Sequence, residues 1–215
     1  AATLVVCALA IGPMQGTADQ TFSVDPGAAW TGWMNVEEAP GDGVADWGSG
    51  WGTPDLRSSW MGPTLFLQTN VNGADDNPTD PYWAPGNLIM EGNFYQESLG
   101  TIGETINFSW TTVANTLPAG YTAEAFIKVL DGGASWDTTQ NVRAPLVPGS
   151  DSLSLVVADA GGGTENIQAG FAILGPNDIT GSPTADLGVT IIPEPSTLVL
   201  ALVGLAALIA RKRRS

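Results

Sequence analysis

Alternation of apolar and polar side chains is the strongest signal along this chain. In Thr105 to Val113 (TINFSWTTV), Ile106, Phe108 and Trp110 fall on one face and Asn107 and Ser109 on the other, the two-residue period of a half-buried strand. Ala123, Ala125, Ile127 and Val129 repeat the pattern, as do Leu153, Leu155 and Val157, and then Ile167, Ala169, Phe171 and Ile173. Leu65 with Leu67 and Val189 with Ile191 mark shorter members. Turn chemistry divides them at Leu117-Pro118-Ala119-Gly120, Asp131-Gly132-Gly133, Pro148-Gly149-Ser150-Asp151, Gly161-Gly162-Gly163 and Gly175-Pro176-Asn177-Asp178, where Gly, Pro, Asn and Asp supply the backbone angles that strands cannot. No amphipathic helix and no internal repeat intervenes. The pattern predicts an all-β fold, an antiparallel β-sandwich of jelly-roll type, rather than a propeller or solenoid.

Two segments depart from alternation altogether. Thr3 to Gly12 (TLVVCALAIG) is apolar and is followed by Gly16, Thr17, Ala18, Asp19 and Gln20, the order of the apolar and cleavage regions of a secretory signal peptide. Residues 1–19 are therefore expected to be such a segment, and cleavage near Ala18 removes Cys7. A lipid anchor on Cys7 is disfavoured, because Val6 stands where a small residue is wanted. Thr197 to Ala210 is fourteen residues without a charge, closed by Arg211, Lys212, Arg213 and Arg214. As a helix it would measure about 21 Å, short of the roughly 30 Å hydrocarbon core, yet local thinning and snorkelling of the basic side chains let it span. The basic tail then faces the cytoplasm. Pro193 and Pro195 hold the chain extended until Ser196 caps the helix. The expected organisation is thus a signal segment at 1–19, a β-sandwich ectodomain at 20–192, and a C-terminal segment at 193–215 with a transmembrane helix at 197–210.

Charge changes the functional picture. Between Thr21 and Ile192 there are 20 acids against 3 bases, Arg57, Lys128 and Arg143, a formal charge of −17. Nucleic acid is excluded as a partner, since its binding relies on Lys and Arg displacing condensed counterions. The 215 residues include no His and a single Cys, which excludes imidazole chemistry, a thiol nucleophile in the mature chain, and Cys/His zinc sites. No nucleophile motif such as G-x-S-x-G is present. The expectation is a protein that is not an enzyme. Glu37, Glu38, Asp80, Glu91 and Glu97 keep a carboxylate-dependent glycoside hydrolase open as an alternative.

Two clusters are candidates for binding. Trp30, Trp33, Trp47, Trp51 and Trp60 lie within residues 27–63, spaced by Gly and Asp, and Trp83 follows in DPYW. Either one or two of Trp30, Trp33, Trp47, Trp51 and Trp83 form a platform on which a sugar ring stacks, with carboxylates and amides binding its hydroxyls, or the indoles fill the core and pin long loops. Residues 70–83 (NVNGADDNPTDPYW) place Asp75, Asp76, Asn77 and Asp80 in one loop. An oxygen-rich loop of this kind suits Ca²⁺, which takes six to eight oxygen ligands, although the spacing is not that of an EF-hand and a solvated acidic loop is the alternative.

The C-terminal order of Pro193-Glu194-Pro195, a short apolar helix and an Arg-rich tail closely resembles the PEP-CTERM sorting signal of Gram-negative bacteria. The resemblance implies a transient inner-membrane anchor, recognition of Pro193, Glu194 and Pro195 by a membrane-embedded exosortase, and release or transfer to the cell envelope, outer surface or extracellular matrix. The runs MNVEE, WGSGWGTPDL, DPYW, GNLIMEGNFYQE, TINFSWTTVANTL and GYTAEAFIKVLD resemble an uncharacterised, carbohydrate-binding-module-like β-sandwich of exported bacterial proteins. This second resemblance implies fold and compartment, and no binding residues. Together with the acidic balance, the Trp-rich region leads to an expected neutral polysaccharide ligand. A purely structural matrix component is the alternative.

Overall fold

Strands β1 (Gln20–Ser23), β4 (Ser58–Met61), β5 (Thr64–Gln68), β7 (Thr105–Asn115), β10 (Gly149–Val156) and β12 (Gly188–Ile192) form one sheet in the computed structural model, which describes residues 19–131, 136–159 and 165–194. Strands β2 (Thr31–Glu38), β3 (Trp47–Trp51), β6 (Leu88–Gly100), β8 (Thr122–Asp131), β9 (Thr138–Pro145) and β11 (Glu165–Pro176) form a second sheet in the order β3-β2-β6-β11-β8-β9. The chain crosses between the sheets at each connection from β5 to β8 and again from β9 to β12. The architecture is all-β and sandwich-like, as the alternation predicts. The expected signal segment, apart from Asp19, and the expected helix at 197–210 lie outside the described residues. Among those residues no helix is long and apolar enough to cross a membrane.

The inward phase of each strand fills the space between the sheets. Phe22, Leu65, Ile106, Phe108, Trp110 and Ile191 from the first sheet meet Phe94, Ala125, Ile127, Ile167, Ala169 and Phe171 from the second. Phe108 and Phe171 have ring centroids 5.1 Å apart, and Trp110 meets Phe171 edge-on at 6.2 Å. Burying each such aromatic contributes about 1.5–3 kcal/mol. A smaller cluster of Met34, Val36, Leu56, Leu88 and Met90 lies where β2 and β6 run on past the main core.

Two features correct the sequence expectations. The sandwich is not wholly antiparallel, because β1 pairs with β7 in parallel, Gln20 opposite Ile106 and Ser23 opposite Ser109. Residues 27–63, in which the alternation assigns no strand, contain β2, β3 and β4. In β3 the phases are Trp47, Ser49, Trp51 against Gly48, Gly50, so the polar phase carries no polar side chain to reveal it. The expected acidic loop contains a five-residue helix, Asn72–Asp76.

The centre of the first sheet has an unusual arrangement. Residues 106–109 of β7 pair with β1 on one edge and β10 on the other, while residues 111 and 112 pair with β12 and β10. Strands β1 and β12 therefore share one edge of β7 and meet end to end, with Ser23 opposite Ser109 and Ile192 opposite Thr111.

Candidate functional site

The second sheet turns a polar and aromatic face outward. Alternation in β6 sends Glu91, Asn93, Tyr95 and Glu97 out while Met90 and Phe94 go in; β8 sends out Glu124, Phe126 and Lys128; β2 sends out Trp33 and Asn35; β9 sends out Arg143. In β11, which runs between β6 and β8, the outward positions at the centre are the small Gly170 and Ala172. A Cβ on Gly170 would lie 2.7 Å from that of Tyr95, so this position keeps the middle of the face low. The trough between the flanking strands is a cleft of about 460 Å³, lined among others by Trp33, Tyr95, Glu97, Lys128, Trp136 and Gln168. That volume lies in the range of ordinary ligand sites.

A chain of hydrogen bonds crosses the strands of this face, beginning in the cleft at Trp33 and Asn35 and running out of it to Glu91, Arg143 and Glu124. Trp33 Nε1 donates to Asn35 Oδ1 at 2.7 Å, Asn35 Nδ2 to Glu91 Oε2 at 2.8 Å, and Arg143 Nη2 to Glu91 Oε1 at 2.8 Å. Arg143 Nη1 reaches Glu124 Oε2 at 3.1 Å. Lys128 Nζ donates to Asn93 Oδ1 at 2.9 Å and lies 4.4 Å from the centroid of the buried Phe126 ring, an attraction that favours the cation. On the other wall Gln168 Nε2 donates to Glu97 Oε2 at 2.8 Å. Two of the three bases between Thr21 and Ile192 are gathered here, Lys128 and Arg143.

Burial and charge act against each other at these groups. Burial pushes the Lys128 ammonium down to about 8, with Glu91 opposing that fall and Arg143 adding to it. For Glu91 burial acts to raise the carboxyl, but the Lys128 and Arg143 charges and the hydrogen bonds from Asn35 and Arg143 outweigh it and hold it below the usual range. Burial, with the neighbouring Glu97 charge, raises the Tyr95 phenol. Such a face presents fixed donors and acceptors around exposed indole and offers no free cationic patch.

The five indoles named from sequence are not brought together. Trp33 is 40% exposed and lines the cleft. Trp30 stacks on Phe94 at 4.5 Å between centroids, and its Nε1 donates to the Asp25 carbonyl at 2.8 Å. Trp47, Trp51 and Trp83 pack on the Met34–Met90 cluster, where Trp47 Nε1 donates to the Tyr82 hydroxyl at 2.9 Å. Trp136, 56% exposed at the far end of the cleft, was not indicated by the Trp-rich region. Its signal in the sequence is a lone Trp three residues after Gly132-Gly133. Its backbone adopts φ +58, a left-handed conformation that costs a non-glycine residue about 1–2 kcal/mol and that clusters at functional sites.

The four oxygen-bearing side chains of the acidic loop go separate ways. Asp75 accepts from Thr180 N at 3.0 Å and Thr180 Oγ1 at 2.6 Å, and Asp80 accepts from Tyr82 N at 2.9 Å, capping a 3-10 turn. Asn77 donates to the Gly73 carbonyl at 3.3 Å, and Asp76 points into solvent at the helix end. Among the described residues no three Asp or Glu side chains gather where they would hold a metal. Asp75 instead ties the short helix Asn72–Asp76 to the loop after β11.

Residues 192–214 match the PEP-CTERM protein-sorting motif. The box follows directly on β12, with Pro193 half-buried and Glu194 exposed. No curated protein matches the chain. Two solved structures are similar in part. One is TmCBM61 in complex with beta-1,4-galactotriose, at 10% identity over 77% of this chain and 83% of that one, TM-score 0.34. The other is described as CBM4 structure and function, at 11% identity over 75% of this chain and 86% of that one, TM-score 0.29. At those scores the likeness decides neither fold nor ligand.

Proposed function

We propose that residues 20–192 form an exported, non-catalytic, jelly-roll-type domain that binds a neutral polysaccharide in the outer cleft, and that the segment at 193–215 delivers it to the envelope, outer surface or matrix. The sorting motif supports export and processing by an exosortase, with residues 197–210 as a transient inner-membrane anchor. The observation that carries the binding reading is the pair of exposed indoles, Trp33 and Trp136, facing one cleft among amides and charges that compensate one another. Indole faces pack against the C–H faces of a sugar ring while Asn93, Glu97 and Gln168 supply hydrogen bonds. Lys128 and Arg143 are opposed by Glu91, Glu97 and Glu124, so an acidic glycan finds no unopposed positive charge. Within the glycosidase alternative Glu91 does not suit the general acid, because the Lys128 and Arg143 charges favour its ionised form and a general acid must be protonated.

The test is a glycan array with titration of intrinsic fluorescence, run beside a reducing-sugar release assay. Trp33→Ala and Trp136→Ala should each abolish weak, salt-insensitive binding with little change in melting temperature. Binding that survives both substitutions, or release of sugar, refutes the proposal.

A further inference from the structure

The two outer faces of the sandwich differ sharply in charge. The six strands of the second sheet carry nine charged residues, whereas those of the first carry one, Asp151, in the inward-pointing phase of β10. The outward phase of the first sheet presents hydroxyls instead, among them Thr21, Ser59, Ser109, Thr111, Ser152 and Ser154. Between them stand Met61, Val113 and Val156, which are exposed, and Phe66 and Ile192, which are half-buried. On a domain of charge −17, a sheet whose strands turn no carboxylate outward is a feature to explain. Exposed apolar groups within it point to a partner, since charge depletion marks surfaces that become covered.

The course of the chain identifies that partner. Strand β12 runs toward the middle of the sheet and stops at Ile192, because the next position along the edge of β7 is occupied by the end of β1. Pro193 has no N–H with which to extend the ladder, and the inward side is filled by the core. The chain therefore leaves from the middle of the sheet on its outer side, where Glu194 is exposed. From Ile192 to the first residue of the apolar run, Thr197, is five residues, at most about 17 Å even fully extended. Strand β7 is 11 residues long, or about 37 Å, so a tether leaving its middle spends its whole length merely reaching an end of the strand, and the edge strands β4 and β10, two strands away at about 10 Å, leave it only about 7 Å to spare.

We infer that, while residues 197–210 are in the bilayer, the uncharged face of the first sheet lies against the lipid headgroups and the cleft of the second sheet points away. The inference rests on the membrane-anchor reading of that run. Charge agrees with geometry, since the face turned to anionic phosphates is the one whose strands bear no outward carboxylate, Glu194 at the exit being the one acid beside it, and the hydroxyls replace water as donors to them.

The full-length chain with Cys7→Ser tests this when a single fluorophore is placed through Ser152→Cys or Asn141→Cys, exposed positions on the first and second sheets. Each protein is reconstituted in phosphatidylcholine–phosphatidylglycerol vesicles containing a headgroup nitroxide lipid. Packed sheets are about 10 Å apart, so quenching at position 152 should exceed that at 141 several-fold. Equal quenching, stronger quenching at 141, or failure of the chain to float with vesicles overturns the inference. Shielding of position 152 from aqueous iodide in detergent micelles as well as in vesicles assigns the face to a second copy and overturns it also.

Discussion

Replacing Arg143 by Met should destabilise the domain in a strongly pH-dependent way. The guanidinium bridges Glu91 at 2.8 Å and Glu124 at 3.1 Å, with Arg143 and Glu91 side chains 27% and 16% exposed. Exposed pairs contribute about 0–1 kcal/mol, and breaking a fully buried pair costs about 3–5 kcal/mol. For this partly buried site about 2 kcal/mol is expected at neutral pH, most of it from Glu91. The substitution keeps much of the aliphatic volume over Phe126 and removes the charge that offsets burial of the Glu91 carboxylate. In the intact protein the Glu91 pKa is held below its ordinary value, so its contribution is present above pH 5 and is lost as the pH falls through the folded value. In the variant that contribution shrinks, and the two proteins should converge in acid. For a domain of this size, melting by circular dichroism should show a gap of about 4–8 °C at pH 7, closing toward pH 3. A gap that is the same at both pH values would show that packing of the guanidinium on Phe126, not charge, is what Arg143 supplies.

Lys128 gives a slope of the same sign in a different pH window, because its folded value is also lowered. With its folded value lowered to about 8 by burial, the unfolded chain binds more protons between that pH and the ordinary lysine range, so chemical-denaturation stability should rise from pH 8 to about pH 10. Above that, Tyr121, pushed up to about 12 by burial and Asp178, reverses the trend; a Lys128→Met chain that still shows the rise refutes the assignment. Gly170→Val should cost several kcal/mol, because a side chain there meets the backbone and Cβ of Tyr95; thermal melting within about 0.5 kcal/mol of the native chain would contradict the geometry. Millimolar Ca²⁺ or EDTA should leave the melting temperature unchanged, since Asp75 is held by Thr180. A stabilisation of about 2.7 kcal/mol, the value for ligand at a hundredfold its Kd, would restore a site at Asp75, Asp76, Asn77 and Asp80.

What sequence makes legible here is whatever repeats with the strand period. Strands β7, β8 and β11 announce themselves because large apolar residues alternate with polar ones. Strand β3 does not, its WGSGW reading as a turn; nor does β6, in which Asn93, Phe94 and Tyr95 are all buried, so that both phases face packed surroundings. The cleft is harder still. Asn35 and Glu91 are 56 residues apart, and Arg143 and Glu91 52 apart, so their meeting depends on sheet order, which alternation does not specify. Composition misled in one respect, since Trp density marked a packed region and the second exposed Trp of the cleft lay elsewhere. A usable hint was present in the scarcity of bases, as Lys128 stands in the outward phase of AFIKV.

The shared edge of β7 also constrains when this domain can fold. Its residues 106–109 need β1, from the start of the domain, and residues 111–115 need β12, the last strand before the sorting box. Leu65 and Leu67 of β5 likewise face partners at Ile191 and Val189. Contacts of such large sequence separation form late and slowly, so the first sheet stays open until nearly the whole chain is available. A chain held up during export, with β12 still to arrive, would remain loose enough to thread onward, and the core would close only once the residues adjoining the exosortase signal had emerged.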